Sequence, residues 1–532
     1  MTVTPIIAAR CLRPRRSTSS RQQWPETLGR FAGGLATRRP GRVFLLGAAL
    51  VGLSFFMARW VDAQFFPNAD RNQIVVDFTL PEGTVLPHTL SIATALEDAL
   101  RADPDVQAVH GFVGSSGPRF YYNVPDASRD PRRGRLVVET SGLAGNLRVI
   151  ERIRAFALSQ LPEVELIAKQ LAQGPPINAP IEVRVFHPDP KPLAVATQQV
   201  YEAMKAIPGV VDARHDLGLG VPSVEFEILS AVASDYGLSR ADVAQSLLGR
   251  STGLTVGSYR AGDEPVPIRV RSAAGERYPL AQLAGVNVYS PVAGPIPLSA
   301  LVQTRVQWQP AAIQHRDGRR LATVSSELDP AFVYTEILNQ LRPKIEALDL
   351  PPGVEIAYGG ESETSGEANT ALLTTAPFGL MLLLFFLLLQ FNSFKRVAIV
   401  MMTVPLAAVG VIPGLVLTDS PFGFQPLLGI IALVGIVVNN AIVLIDVIDQ
   451  QLRRGDRLAD AVRIAVERRT RPILLTTATT IAGLLPLAFS GTTLWPPMAW
   501  AIISGLAASA FLTLFVVPAT CSLWLKSEAA HA

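Results

Sequence analysis

Residues 371–391 read ALLTTAPFGLMLLLFFLLLQF and contain no charged side chain. A helix needs about 20 apolar residues to cross a hydrocarbon core of roughly 30 Å, and this run is long enough. Other apolar runs lie at 43–62, 397–417, 424–446, 473–489 and 498–525. Together they predict a membrane α-helical bundle with six transmembrane helices. Buried helices of a soluble protein are the alternative for the shorter runs at 43–62 and 473–489.

The composition of the chain agrees with a membrane protein. Of its 532 residues, 49% are hydrophobic and only 17% are charged, whereas soluble domains typically have about 25% charged residues. The net charge of +3 gives little support for a nucleic-acid partner. Cys11 and Cys521 lie near opposite ends of the sequence. They indicate neither a disulfide framework nor a metal site.

No pattern in the sequence indicates an enzyme. The histidines at 110, 187, 215 and 315 are scattered without metal-ligand spacing. Asp216, Gly218 and Gly220 have the composition of a loop, but no phosphate-binding motif follows them. We therefore predict no catalytic residue, no cofactor and no bound metal.

The basic residues of the short connections predict the orientation of the chain. The connections at 418–421 (TDSP) and 490–497 (SGTTLWPP) contain no basic residue. The other connections and the N-terminal tail carry lysines and arginines, namely Arg30, Arg38, Arg39, Arg42, Lys395, Arg396, Arg453, Arg454, Arg457, Arg463, Arg468, Arg469, Arg471 and Lys526. This alternation places both termini in the cytoplasm and residues 63–370 outside it. The tail, 1–42, with nine arginines and one acid, Glu26, is interpreted as a cytoplasmic linker; a transit peptide is the alternative.

The region between the first and second apolar runs alternates between strand-like and helix-like segments. The order strand, helix, strand, strand, helix, strand is the ferredoxin-like pattern. A first unit has strands at 72–80, 106–114, 119–124, 135–140 and 164–168, and helices at 88–101 and 146–160. A second unit has strands at 180–187, 210–215, 321–328 and 354–358, and helices at 193–206 and 332–348. The stretch between its halves is β-rich, with one helix at 240–248 that a Ser239/Asp242 capping box begins. The fold class is therefore a membrane α-helical bundle with an α+β extracytoplasmic region.

Several longer motifs closely resemble the resistance-nodulation-division (RND) transporters of the hydrophobe and amphiphile exporter type. They occur in that family's order and spacing, and the resemblance covers about residues 38–525. The motifs are GGESETSGEANTALLTTAPFGLMLLLFFLLLQF (359–391), TVPLAAVG (403–410), PFGFQPLLGIIALVGIVVNNAIVLIDVI (421–448), RPILLTTATTIAGLLPLAFSG (471–491), LWPPMAWAIISGL (494–506) and LFVVPA (514–519).

The resemblance also implies which part of such a transporter this chain matches. RND permeases usually consist of two similar halves, and the run FFPNADRNQIVVDFTLPEGT (65–84) and the pair Asn439-Asn440 resemble the second half. The implied regions are a basic tail (1–42), a first helix (43–62), a porter subdomain (63–170), a second porter subdomain in two parts (171–220 and 312–370), a docking-like insertion (221–311), five helices (371–525) and a second tail (526–532).

The predicted membrane helices contain no acid, lysine or histidine near their middles. Such groups are expensive in a bilayer and mark proton pathways. The polar groups at depth are amides and hydroxyls, which do not titrate near neutral pH. In the family, paired aspartates of the first half change protonation, and many multidrug pumps have a lysine where this chain has Asn439. The resemblance implies that Asn439, Asn440, Arg469 and Thr476 support the proton relay; helix–helix hydrogen bonding and back-bonding of threonines to the helix are the alternatives.

The function implied by the resemblance is the second half of a proton-driven multidrug or amphiphile efflux permease of the bacterial inner membrane. Its implied partners are membrane lipid, a first-half RND polypeptide, a periplasmic adaptor and an outer-membrane channel, within a trimer. Two alternatives are a self-sufficient homodimeric transporter and a truncated or non-transporting membrane module. A protein-translocation auxiliary of the same superfamily matches the motifs less closely.

Overall fold

The computed structural model describes residues 24–61, 63–124, 129–218, 220–273, 286–309 and 312–525. The chain divides into two compact units. The smaller unit is Leu217–Gln314, and the larger one comprises the chain up to residue 216 and from residue 315 onward. The smaller unit overlaps most of the predicted insertion at 221–311.

Two helices precede the first α/β subdomain. Helix α1 (Trp24–Arg38) lies within the predicted basic tail, 1–42; residues 1–23 of this tail lie outside the described residues. Its buried face carries small side chains at helical spacing, Gly29, Ala32, Gly33 and Ala36. Small residues let two helices approach closely, and a Cβ on Gly29 would lie 2.8 Å from the Thr470 hydroxyl. Helix α2 (Pro40–Met57) is the first of the predicted membrane helices.

The first α/β subdomain contains one four-stranded antiparallel sheet with two helices. Its elements are β1 (Gln73–Thr79), α3 (Leu86–Arg101), β2 (Val106–Val113), β3 (Arg133–Thr140), α4 (Leu143–Gln160) and β4 (Glu165–Gln170). The strand order is β2-β3-β1-β4. Alternate residues of β1, Ile74, Val76 and Phe78, are fully buried against both helices, which explains the period-two pattern of the sequence.

The predicted strand at 119–124 is wrong, because this segment forms bends and turns. The Gly117 backbone adopts a φ of +71°, and the Phe112 ring packs directly against this glycine. The Arg119 guanidinium donates to the Tyr122 carbonyl across the turn. The apolar and aromatic residues of this loop therefore give a strand-like pattern without any strand partner among the described residues.

The second α/β subdomain is divided along the chain by the smaller unit. Its first part has β5 (Ile181–Phe186), α5 (Pro190–Lys205) and β6 (Val210–His215). The smaller unit then has β7 (Val221–Ile228), α6 (Ser230–Asp235), α7 (Arg240–Arg250), β8 (Leu254–Ala261), β9 (Glu264–Val270), β10 (Asn287–Ser290), β11 (Gly294–Pro297) and β12 (Val302–Gln309). The capping box predicted at the start of α7 is confirmed, since Ser239 and Asp242 exchange both hydrogen bonds.

The second part of the subdomain completes a five-stranded sheet. It consists of β13 (Gln314–Arg316), β14 (Arg319–Leu328), α8 (Tyr334–Glu346) and β15 (Glu355–Gly360). Strand β5 pairs with both β14 and β15, and β6 also pairs with β14. Hydrogen bonds from one part of the sequence to the other therefore hold the subdomain together across the intervening unit.

Five segments of membrane-spanning length complete the chain. One of them, Phe394–Leu417, consists of two consecutive helices, so the five segments contain six helices. They are α9 (Glu361–Phe391), α10 (Phe394–Met401), α11 (Thr403–Leu417), α12 (Phe424–Arg453), α13 (Leu458–Ala488) and α14 (Pro496–Trp524). With α2, the described residues have six helices long and apolar enough to cross a membrane. Helix α13 begins at Leu458, well before the predicted residue 473. Its first turns carry many arginines, but they also have a buried face, formed by Ala461, Val462, Ala465 and Val466.

Candidate functional site

Asn439 and Asn440 lie in the middle of α12. Asn439 is fifteen residues from the first residue of this helix, which corresponds to roughly 22 Å at 1.5 Å per residue. Asn439 is exposed and Asn440 is half-buried. Among the described residues, neither side chain has a hydrogen-bond partner. The two amides therefore do not bridge helices within this chain.

Thr476 and Arg469 lie on α13, which packs against α12. Thr476 is exposed, and its hydroxyl donates to the carbonyls of Pro472 and Ile473 at 3.1 and 3.0 Å. Arg469 is half-buried near the start of the apolar part of the helix. The back-bonding predicted for the threonines is confirmed for Thr476, and it satisfies the hydroxyl proton locally.

Asn439 and Thr476 belong to two rows of exposed residues, which we call the open stripes. On α12 the open stripe contains Leu428, Ile431, Gly435 and Asn439; on α13 it contains Pro472, Thr476, Thr479 and Gly483. The spacing of three or four residues keeps each row on one face of its helix. A Cβ on Gly435 or on Gly483 would meet no atom within 4 Å. Neither row is covered by the described residues of this chain.

The open stripes can hydrogen-bond but cannot carry a proton. Amide and hydroxyl groups do not change protonation near neutral pH. The carboxylates on α12 lie toward its basic end, where Asp446 accepts from Gln450 at 2.8 Å and Asp449 pairs with Arg396 at 2.9 Å. Among the described residues there is also no cluster of histidine, cysteine or carboxylate side chains that could hold a metal ion.

A second feature, which the sequence did not reveal, joins the second α/β subdomain to the start of α9. Glu363 accepts hydrogen bonds from Arg184 and Arg316, each at 2.7 Å, and Arg184 also donates to Glu182 at 2.9 Å. The bond to Glu363 raises the pKa of the Arg184 guanidinium above its usual value. A Cβ on Gly359 would lie 2.6 Å from this guanidinium, so the glycine gives the arginine its space.

Replacing Glu363 with glutamine is expected to lower the free energy of unfolding by about 1–2 kcal/mol, because it removes the charge from two charge-assisted hydrogen bonds. Arg316 contributes the smaller share, since its side chain is half-exposed and solvent screens it. Thermal unfolding of the purified chain measures the change. Glu367→Gln, one helical turn further along and exposed, is the matched control. Equal stability of the two variants would contradict the predicted role of Glu363.

The first α/β subdomain is joined to the membrane helices through their connecting loops. The Asp70 carboxylate accepts from the Thr493 backbone N–H at 2.7 and 2.9 Å, and the Thr493 hydroxyl donates to the Asn68 carbonyl at 2.6 Å. In the other loop, the Gln64 backbone N–H donates to the Phe422 carbonyl at 3.1 Å. Three motifs that are far apart in the sequence therefore lie in contact in the structure. They are FFPNAD (65–70), PFGFQP (421–426) and SGTTLWPP (490–497).

Known proteins with similar sequences span about twice the length of this chain. The sequence profile of the AcrB/AcrD/AcrF family matches residues 1–523. The chain is 27% identical over 501 residues to the nickel-cobalt-cadmium resistance protein NccA of Alcaligenes xylosoxydans xylosoxydans, covering 91% of this chain and 46% of NccA. It is 26% identical over 548 residues to the multidrug resistance protein MdtC of Edwardsiella ictaluri, covering 97% of this chain and 51% of MdtC. The chain thus spans about half the length of the curated relatives it matches.

A solved structure has the same fold. The crystal structure of a heavy metal efflux pump, crystal form I, superposes with a TM-score of 0.78 at 21% identity and covers 96% of this chain and 53% of the pump chain. Crystal form II of such a pump gives a TM-score of 0.77.

Proposed function

The chain belongs to the AcrB/AcrD/AcrF family of RND efflux transporters, and we propose that it is the second half of a proton-driven efflux permease. It is a multi-pass protein of the inner membrane. The observation that carries the proposal is the exposed Asn439 amide at mid-helix depth, without a hydrogen-bond partner among the described residues. An unsatisfied amide in hydrocarbon costs several kcal/mol, so a protein partner rather than lipid is expected to cover it.

The partner that fits the open stripes is a first-half RND polypeptide. In such halves, by the resemblance described above, the fourth helix carries paired aspartates. Asn439 would donate to or accept from those carboxyl groups, and the back-bonded Thr476 hydroxyl would accept from a protonated one, while the aspartates carry the proton. Asn440 and Arg469, both half-buried, would orient the neighbouring side chains. The chain matches only about half the length of its relatives, which supports the proposal that a separate first half carries the aspartates.

The extracytoplasmic regions receive their roles from the same proposal. The two α/β subdomains would be the porter subdomains, the smaller unit would be the docking subdomain, and both termini would lie in the cytoplasm. A periplasmic adaptor, an outer-membrane channel and assembly as a trimer complete the proposed pump.

Two substrate classes are candidates. Amphiphilic organic compounds follow from the exporter motifs of the sequence and from the similarity to MdtC. The similarity to NccA favours divalent metal cations. So does the similarity to the nickel and cobalt resistance protein CnrA of Cupriavidus metallidurans, to which the chain is 27% identical over 511 residues. Both classes should therefore be offered in any export assay.

The chain expressed alone in a pump-deficient Gram-negative strain is expected to give no resistance to amphiphilic drugs or to nickel and cobalt, because it carries no mid-membrane proton acceptor among its described residues. Co-expression with a first half that carries the paired aspartates is expected to restore export of one of these classes. Growth inhibition and the efflux rate of a fluorescent substrate measure the result. Export by the chain alone would contradict the proposal and favour the homodimer; no export with any matching first half would favour a non-transporting module.

A further inference from the structure

A groove runs between α1, α13 and α14. It has a volume of about 480 Å³, within the range of roughly 300–1,000 Å³ that ligand sites occupy. Its walls are apolar apart from Arg471 and Thr477. Trp24 of α1 lies at one end, and Ala507, Ala510 and Phe511 of α14 form one side.

The groove has the length of one membrane leaflet. Its lining on α13 extends from Arg471 to Ile481, which is roughly 15 Å at 1.5 Å per residue. The hydrocarbon core is roughly 30 Å thick, so half of it is about 15 Å. Arg471 lies among the basic residues that mark the cytoplasmic surface, and tryptophans such as Trp24 favour the same level of a bilayer.

The groove has two polar lining residues, Arg471 and Thr477. Thr477 is only 7% exposed, and its Oγ1 atom has no hydrogen-bond partner among the described residues. Other threonines of this helix, Thr470, Thr476, Thr479 and Thr480, donate to carbonyls of the preceding turn. Thr477 lines the groove roughly 9 Å along the helix from Arg471, with its unpaired hydroxyl just beneath the groove surface.

The groove does not coincide with the open stripe of α13. At 3.6 residues per turn, Thr476 and the groove residue Ala478 project from the helix roughly 160° apart. A first-half helix seated against Thr476 would thus approach the other flank of α13. The groove, by contrast, combines an apolar channel, a guanidinium at its mouth and one buried hydroxyl.

We propose that this groove binds one phospholipid of the cytoplasmic leaflet, with its phosphate on Arg471, its glycerol region beside Thr477 and an acyl chain along Ala478, Ile481 and Ala507. A guanidinium matches phosphate oxygens in charge and in geometry. The apolar lining shields the acyl chain, and α1 closes the headgroup end of the groove. This lipid would hold the amphipathic helix α1 against α13 and α14.

Native mass spectrometry of the purified full chain, delipidated and then titrated with phosphatidylglycerol, tests the proposal. The wild-type protein is expected to retain one tightly bound lipid. Ala478→Trp, which fills the groove, is expected to lose it. Arg471→Gln, at an exposed position, is expected to weaken binding about tenfold, as the loss of a charge-assisted hydrogen bond implies.

Two matched variants control for size and charge away from the groove. Ala376→Trp enlarges an exposed residue of α9, and Arg454→Gln removes an exposed arginine beyond the end of α12; both should bind the lipid as the wild type does. Fluorescence quenching gives a second measurement of binding. Phosphatidylglycerol brominated near the headgroup is expected to quench Trp24, and the quenching of Trp24 is the difference between the wild type and Trp24→Phe. The proposal would be overturned if the wild-type protein retained no lipid. It would also be overturned if Ala478→Trp and Arg471→Gln bound the lipid as tightly as the wild type does.

Discussion

Leucine in place of Gly410 is expected to lower the free energy of unfolding of the membrane bundle by about 3 kcal/mol or more, at the upper end of what overpacking costs. Gly410 lies on α11, where a Cβ would meet the backbone carbonyl of Ser504 and would lie 2.6 Å from the Ala508 Cβ. Gly414, one turn further along, lies against the Ser504 side chain in the same way. Because the obstacle includes main-chain atoms of α14, no side-chain rotation can relieve the clash.

The contact is reciprocal, which increases the expected effect. Gly505 of α14 faces α11 and α12, and a Cβ there would lie 2.6 Å from a methyl group of Val411. Helices in a bilayer gain little from the hydrophobic effect and associate through close packing of such small residues. Pushing α11 and α14 apart therefore removes dispersion contacts along the whole interface, from Gly410 to Gly414 and beyond.

Thermal unfolding in detergent, followed by size-exclusion chromatography, measures the stability of this variant. Gly379→Leu is the matched control, since this helical glycine of α9 has nothing within 4 Å among the described residues. It should unfold at about the temperature of the wild type. A Gly410→Leu protein as stable as Gly379→Leu would show that α11 and α14 do not pack at this contact.

Much of the membrane bundle could be predicted from the sequence, because uninterrupted apolar runs have few other interpretations. The ends of the helices could not. In the basic segment before residue 473, Ala461 and Ala465 are buried and support a helix. A hydropathy average over this segment also includes the arginines of the same turns, so it does not reveal the apolar face. The same averaging concealed α1, whose buried face consists mainly of glycine and alanine.

The candidate site was only partly predictable, for a different reason. Asn439 and Thr476 could be selected as polar residues at membrane depth, yet their exposure depends on which faces of α12 and α13 the other helices cover. The ion pairs of Glu363 join residues far apart in the sequence, and no local pattern marks them. Likewise, no pattern in the sequence marks Thr477, whose hydroxyl is unpaired among the described residues while that of Thr476 bonds back to the helix.

Aspartate in place of Asn439 is expected to abolish export by the chain assembled with a first half, a fall of about 100-fold or more in efflux rate. The prediction rests on the proposed function. The side chain keeps its size, but a second acid would lie beside the first-half aspartates. Two like charges at close range in a low dielectric repel each other, so one of the acids would keep the proton that the relay must release.

Lysine at the same position is expected to retain export, because a cation stabilises a nearby carboxylate and many multidrug pumps of this family have a lysine there. Glutamine, which keeps the amide, should also retain a substantial part of the efflux rate. The contrast between Asn439→Asp and Asn439→Lys separates a site beside carboxylates from a site that faces lipid. In hydrocarbon both charges are costly, with centre-of-helix penalties of roughly 2.5–3.5 kcal/mol each.

Efflux of a fluorescent substrate in cells that express both halves measures the series, with protein levels and thermal stability determined for every variant. Equal loss of export in the aspartate and lysine variants would place Asn439 against lipid and remove its role in the relay. Full export by Asn439→Asp would show that no carboxylate of the first half lies nearby. Only an effect that depends on the sign of the charge supports an electrostatic partner, because hydrocarbon penalises an acid and a lysine by similar amounts.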